Sequence, residues 1–165
     1  MGTRHHIRQI ALQALYQFDA RGEVDRAEIE RSVKDAPSAD DRMKTTAMEM
    51  AEHAWACHDQ ADSLAAGLAP DWPTHRQPPV DRSILRLAYY EIASGLTPVA
   101  VAINEAVELA KAFGSDRSPA FINGVLDKMA KQIRAAPPAD LPKPTPTADA
   151  WLDDAIKDSS VDPGS

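Results

Sequence analysis

Apolar side chains recur along most of this chain at three- and four-residue steps, the spacing that lines one face of an α-helix. Behind Thr3, a residue suited to capping, Ile7, Ile10, Ala11, Ala14, Leu15 and Phe18 trace such a stripe until Gly22. Asp25 caps a shorter predicted helix with Ile29 and Val33 inward, closed by Pro37. From Asp40 the pattern runs through Ala47, Met50, Ala51, Ala54, Cys57, Ala61, Leu64 and Ala65 with no Gly or Pro before Gly67, which predicts one long helix of about seven turns. Pro70, Pro73, Pro78 and Pro79 surround Trp72 and predict an irregular connector. A fourth main helix is expected from about Asp81, read as its cap, through Ile84, Leu85, Ala88, Tyr89 and Ile92 to Gly95. Thr97-Pro98 opens a fifth, with Ala102, Ile103, Ala106, Leu109, Ala110 and Phe113 inward before Gly114. Ser118-Pro119 opens a sixth that buries Ile122, Val125, Leu126, Met129 and Ile133 and stops at Pro137-Pro138. No stretch alternates with period two for long enough to make a strand, so the body reads as an all-α, compact bundle of six to seven helices.

Composition sharpens this picture. Hydrophobic residues make up 44% of the 165-residue chain, yet only 5% are aromatic, so the core is expected to rest on close helix contacts between alanines and aliphatics. Residues 1–136 are read as one domain. Residues 137–165, rich in proline and acid, are read as a disordered tail in which Trp151, Leu152 and Ile156 form either noise or a docking motif. The net charge of −7 argues against a nucleic-acid binder until its distribution is considered. Six aspartates against Lys143 and Lys157 give the tail −4 of that total, while residues 1–18 contain Arg4, Arg8, His5 and His6 and no acid. Cys57 stands alone, no apolar run approaches a membrane span, and the N-terminus lacks a signal-peptide core, which together predict a cytoplasmic protein.

Candidate chemistry is sparse. There is no glycine-rich phosphate loop, no G-x-S-x-G elbow and no H-E-x-x-H, so no enzyme and no cofactor is expected. Glu49, His53 and Cys57 are four apart on one helix, a spacing that places metal ligands on one face, but Cys57 also falls on the apolar stripe and no second cysteine exists to close a site. Arg4 and Arg8 share a face of the first helix beside His5 and His6, where guanidinium groups could grip phosphates and stack on unpaired bases. The bland reading of the same residues is a solvated helix start. Tyr16 and Phe121 are equally two-sided: core aromatics if buried, stacking platforms or partner anchors if exposed.

Three segments carry a resemblance that composition cannot: ALQALYQFD (Ala11 to Asp19), VDRSILRLAYYEI (Val80 to Ile92) and VAINEAVELAKAFGSDRSPAFINGVLDKMAK (Val101 to Lys131). Together they resemble the NusB family over most of positions 4–134, in the same order. The resemblance implies two packed helical halves and a transcription antitermination factor that binds boxA-type single-stranded RNA together with NusE, a small-subunit ribosomal protein, within the transcription elongation complex. It also allows a homodimer. On this reading the RNA surface comprises Arg4, His5, His6, Arg8, Tyr16, Arg86, Arg117 and Phe121, and the partner surface Tyr16, Asp81 and Phe121. Two family cations have become His5 and His6, so affinity is expected to rise as pH falls toward about 6.5. In the loop from Gly114 to Ala120, Arg117 stands in for a lysine common among relatives. Two alternatives stay open: a protein-interaction module that never touches RNA, and a free-standing relative of the RNA-binding domain of ribosomal RNA cytosine methyltransferases. Inside the fifth helix, Asn104 and Glu105 are expected to cap or bridge neighbouring segments.

Overall fold

A computed structural model of the chain describes residues 2–21 and 25–144. Among the described residues seven α-helices follow one another: α1 (Thr3–Arg21), α2 (Arg26–Lys34), α3 (Asp41–Ala56), α4 (His58–Leu68), α5 (Pro79–Ala93), α6 (Val99–Phe113) and α7 (Ser118–Ala135). A single 3-10 turn, Thr74–Arg76, interrupts the proline-rich connector before α5. The described residues contain no strand. In the first half α1 packs chiefly on α3, with α2 laid across both; in the second half α6 and α7 pair and α4 lies against α5 and α7. Helix α5 is the axle, touching α1, α3, α4, α6 and α7, and every residue from Ser83 to Ile92 is buried. Ala11, Ala14, Ala47, Ala51 and Ala54 are fully buried where α1 meets α3, so small side chains let these helices approach closely while Leu15, Met50 and Phe18 fill the gaps.

The predicted seven-turn helix is broken. Cys57 leaves helical geometry (φ −109°, ψ 17°), and α3 ends at Ala56 while α4 begins at His58. The cause is a side chain. The His58 imidazole donates from Nδ1 to the Trp55 carbonyl and stacks on the Trp55 ring at 3.9 Å, competing with the backbone ladder at that turn. Trp55 in turn stacks on Phe18 at 6.0 Å and carries the Arg86 guanidinium 5.4 Å from its centroid, tying the break to α1 and α5.

Three of the expected caps are used differently. Asp40 does cap α3, accepting from the Met43 N–H at 2.8 Å. Helix α5, however, starts at Pro79 and not at Asp81, because proline needs no amide partner in the first turn. Thr97 turns from α6 to donate to Glu91 Oε1 at 2.7 Å. Ser118 lies within the first turn of α7, its hydroxyl accepting from the Ser115 N–H and donating to Asp81. The chain reverses after α5 at Gly95, whose φ of +76° is open to glycine and costly for other residues.

Residues 137–144 form no helix. Leu141 packs against the core and the Asp140 carbonyl accepts from Gln60 of α4 at 3.5 Å. The expected disorder from 145 onward, and the Trp151, Leu152, Ile156 motif, lie outside the described residues.

Candidate nucleic-acid and partner interface

The polar groups between the two halves decide which predicted cations reach the surface. Arg8 does not. It is buried against Glu91 of α5, its Nε donating at 3.0 Å and its Nη2 standing 2.8 Å from the same carboxylate oxygen, with Glu105 of α6 at 3.8 Å. Arg86 is likewise internal, held by Asp62 (2.7 and 2.9 Å) and by Asp19 (2.9 Å). Burial of an arginine is tolerable only with such pairing, so these two residues join helices, and their reading as RNA contacts is corrected. Burial alone would raise the Asp19 carboxyl, but hydrogen bonds and charge from Arg82 and Arg86 outweigh it and hold the group below its ordinary value.

What remains at the α1 start is Arg4, half-buried, with His5 and His6. His5 Nδ1 meets Glu105 Oε2 at 2.9 Å, so Glu105 bridges α6 to α1 as its position suggested. His6 Nε2 donates to the Pro37 carbonyl at 3.0 Å and fastens α1 to the α2–α3 loop.

Further along α1, Leu12, Gln13, Tyr16 and Gln17 form one wall of an apolar groove of about 340 Å³, closed by Val80 of α5 and Phe113 of α6. Tyr16 and Phe113 are 43% and 42% exposed, which sets them apart from the sealed core aromatics. Sequence reasoning counted Phe113 as core because it sits on the α6 stripe. Its place as the last helical residue before Gly114, where the chain turns away and leaves one side uncovered, was the available signal.

Beyond Phe113 the α6–α7 loop is locked. A Cβ on Gly114 would lie 2.5 Å from Ser118 Oγ and 2.8 Å from the Ala110 carbonyl, so only glycine lets the loop close. Ser118 Oγ accepts from the Ser115 N–H at 2.9 Å and donates to Asp81 Oδ1 at 2.8 Å. Asp81 is buried, and burial raises its carboxyl although the Ser118 hydroxyl pulls the other way. Its expected role as a surface partner contact is therefore corrected: the carboxylate is spent on fixing the loop that presents Arg117, which is exposed, and Phe121, which is half-buried against the core. Phe121 does not line the groove with Tyr16.

The Glu49, His53, Cys57 trio does not assemble. His53 Nδ1 pairs with the Tyr90 hydroxyl at 2.9 Å, Cys57 is buried with its thiol pushed up to about 11, and no group of three metal-ligating side chains is found among the described residues. No helix among them is long and apolar enough to cross a membrane.

A helical bundle whose presented chemistry is a basic helix start, an aromatic-walled groove and a locked loop that presents Arg117 beside Asp116 is an all-α protein that works through its surface. Comparison with known proteins makes that class specific. The NusB family model matches residues 5–131. The transcription antitermination protein NusB of Herpetosiphon aurantiacus is 42% identical over 128 residues, covering 74% of this chain and 86% of the relative. The solved structure of T. maritima NusB superposes with a TM-score of 0.68 at 31% identity, covering 78% of this chain and 91% of that one. A crystal structure of the antitermination factors NusB and NusE in complex with dsRNA shares the fold, with a TM-score of 0.70 at 23% identity over 80% of this chain and 98% of that one. The chain belongs to the NusB family.

Proposed function

We propose that this protein is a cytoplasmic transcription antitermination factor that binds a boxA-type single-stranded RNA jointly with NusE, in support of ribosomal RNA transcription. The observation that carries the reading is the apolar groove walled by half-exposed Tyr16 of α1 and Phe113 of α6, with Arg4, His5 and His6 at the start of that same α1. Groove and cations suit two occupants. Half-exposed aromatics around an open cleft are anchors for a protein surface. Cations at a helix start, with Arg117 and Phe121 on the locked loop, suit an unpaired strand whose phosphates are held and whose bases stack. Membership of a family with relatives named as antitermination proteins, and a related fold crystallised with NusE and dsRNA, support RNA binding together with NusE. The RNA set thus comprises Arg4, His5, His6, Arg117 and Phe121, and the partner set is centred on Tyr16 and Phe113. Titration of a boxA-like RNA with and without NusE tests it: affinity for that sequence over a scrambled one should rise when NusE is present. No sequence preference in either condition defeats the proposal.

A further inference from the structure

The cation that the interior withdraws from α1, Arg8, has a counterpart elsewhere. In a chain of net charge −7, the stretch from Asp116 to Asp140 holds four cations, Arg117, Lys128, Lys131 and Arg134, against three acids, of which only Asp127 lies within α7. Helical geometry sorts them. The buried side of α7 is Ile122, Val125, Leu126, Met129, Ala130 and Ile133. Positions 117, 121, 124, 128 and 131 advance by alternating steps of four and three, so Arg117, Gly124, Lys128 and Lys131 form one stripe along the side turned from that core, about 21 Å long at 1.5 Å per residue, with Phe121 at its edge and packed partly against the core. Arg117, Gly124, Lys128 and Lys131 are exposed and Phe121 is half-buried. Lys131 lies 3.2 Å from Asp127, but both side chains are largely exposed, and such a surface pair holds a lysine only weakly.

Gly124 is the second observation. It sits mid-helix, where glycine costs about 0.5–1 kcal/mol relative to alanine. A Cβ there would meet nothing within 4 Å, and its φ is not in the left-handed region, so neither packing nor backbone conformation calls for glycine. A bare stretch of backbone in the middle of a cationic stripe is what a ligand approaching the helix itself requires. The ligand chemistry follows from what the stripe lacks: among the described residues Tyr16, Trp72, Val101 and Phe113 are the exposed large hydrophobics, and none is on α7. A protein docking site is centred on such anchors, whereas a polyanion needs cations in a row and close access.

We propose that the outer face of α7 from Gly124 to Lys128 and Lys131, continuing from Arg117 and Phe121 of the core RNA set, is a track for the phosphodiester backbone of single-stranded RNA flanking the core segment. This rests on the RNA-binding reading above and extends it, making the protein's footprint longer than its sequence-recognising core.

The test uses the full chain with NusE, a core boxA-like RNA, and the same RNA lengthened by an unstructured stretch at its 5′ or its 3′ end. The wild type should bind one lengthened RNA at least tenfold more tightly than the core. Lys128→Glu/Lys131→Glu should erase that gain, leave core affinity within twofold, and reduce the salt slope on the lengthened RNA by about 1.4, or about 0.7 per lost contact with a single strand. Gly124→Gln should raise the melting temperature, because it removes a helical glycine in open space, and yet erase the same gain. A thermally improved but RNA-defective variant is not what a purely structural glycine gives. The track is refuted if neither lengthened RNA binds more tightly than the core, if the variants weaken core and lengthened RNA equally, or if they abolish NusE binding while RNA binding is untouched. Failure of the wild type to bind even the core RNA would instead sink the underlying functional reading.

Discussion

Replacing Arg8 by alanine separates the two roles that its sequence position allows. Its side chain is 3% exposed and that of Glu91 2% exposed, with contacts of 2.8 and 3.0 Å to one oxygen that also accepts from Thr97 at 2.7 Å. Removing the cation leaves the Glu91 carboxyl group buried between α1, α5 and α6 with only the Thr97 hydroxyl donating to it. Breaking a buried pair from one side costs about 3–5 kcal/mol. For a domain of this size that corresponds to a fall in melting temperature of roughly 10–15 °C. Calorimetry of Arg8→Ala should show this fall, and Arg8→Ala/Glu91→Leu, which removes both charges, should recover much of it. At a temperature where the single variant is still folded, its RNA salt slope should match the wild type. A change below about 3 °C accompanied by a reduced salt slope would refute the reasoning and return Arg8 to the RNA surface.

The remaining predictions concern the surface, the loop and the acid limb of stability. Arg4→Ala should weaken all RNAs together and lower the salt slope; an unchanged slope removes Arg4 from the contacts. Phe113→Ala, at a half-exposed groove wall, should cost NusE affinity about 2 kcal/mol, near thirtyfold, while leaving RNA binding in the absence of NusE unaltered, as titration calorimetry would measure. Gly114→Ala should be destabilising by about 1–3 kcal/mol in denaturant melts, because its Cβ would meet Ser118 Oγ at 2.5 Å. Asp19 carries a lowered carboxyl, so the stability it adds is complete above its ordinary 3.8 and is lost as pH falls through the lower folded value. Asp19→Asn should therefore flatten the acid limb of a stability-against-pH curve, and an unaltered limb would assign acid unfolding to other carboxylates.

The helices were legible because their apolar stripes are long and their ends carry proline or glycine, which local chemistry interprets without knowledge of the fold. The break at Cys57 was not, since it depends on His58 finding the Trp55 ring and carbonyl, and Trp55 being wedged between Phe18 and Arg86. Charge was harder still. Arg4 and Arg8 look equivalent one turn apart, but the carboxylate that draws Arg8 inward is 83 residues away on α5. Asp81 and Ser118 each resemble a helix cap and instead bond to each other across 37 residues. Tyr16 was found as a surface aromatic through its motif, whereas Phe113 was hidden by an α6 stripe that continues past the end of its cover.

Ultraviolet crosslinking of a boxA-type RNA to the full chain with NusE, followed by peptide mapping, bears most directly on the claim that this fold grips an unpaired strand. Crosslinked peptides should come from the start of α1 around Arg4 to His6 and from the loop and first turns of α7 around Arg117 to Phe121. Crosslinks confined to the outer faces of α2 and α3, or equal yields with a scrambled RNA, would contradict it.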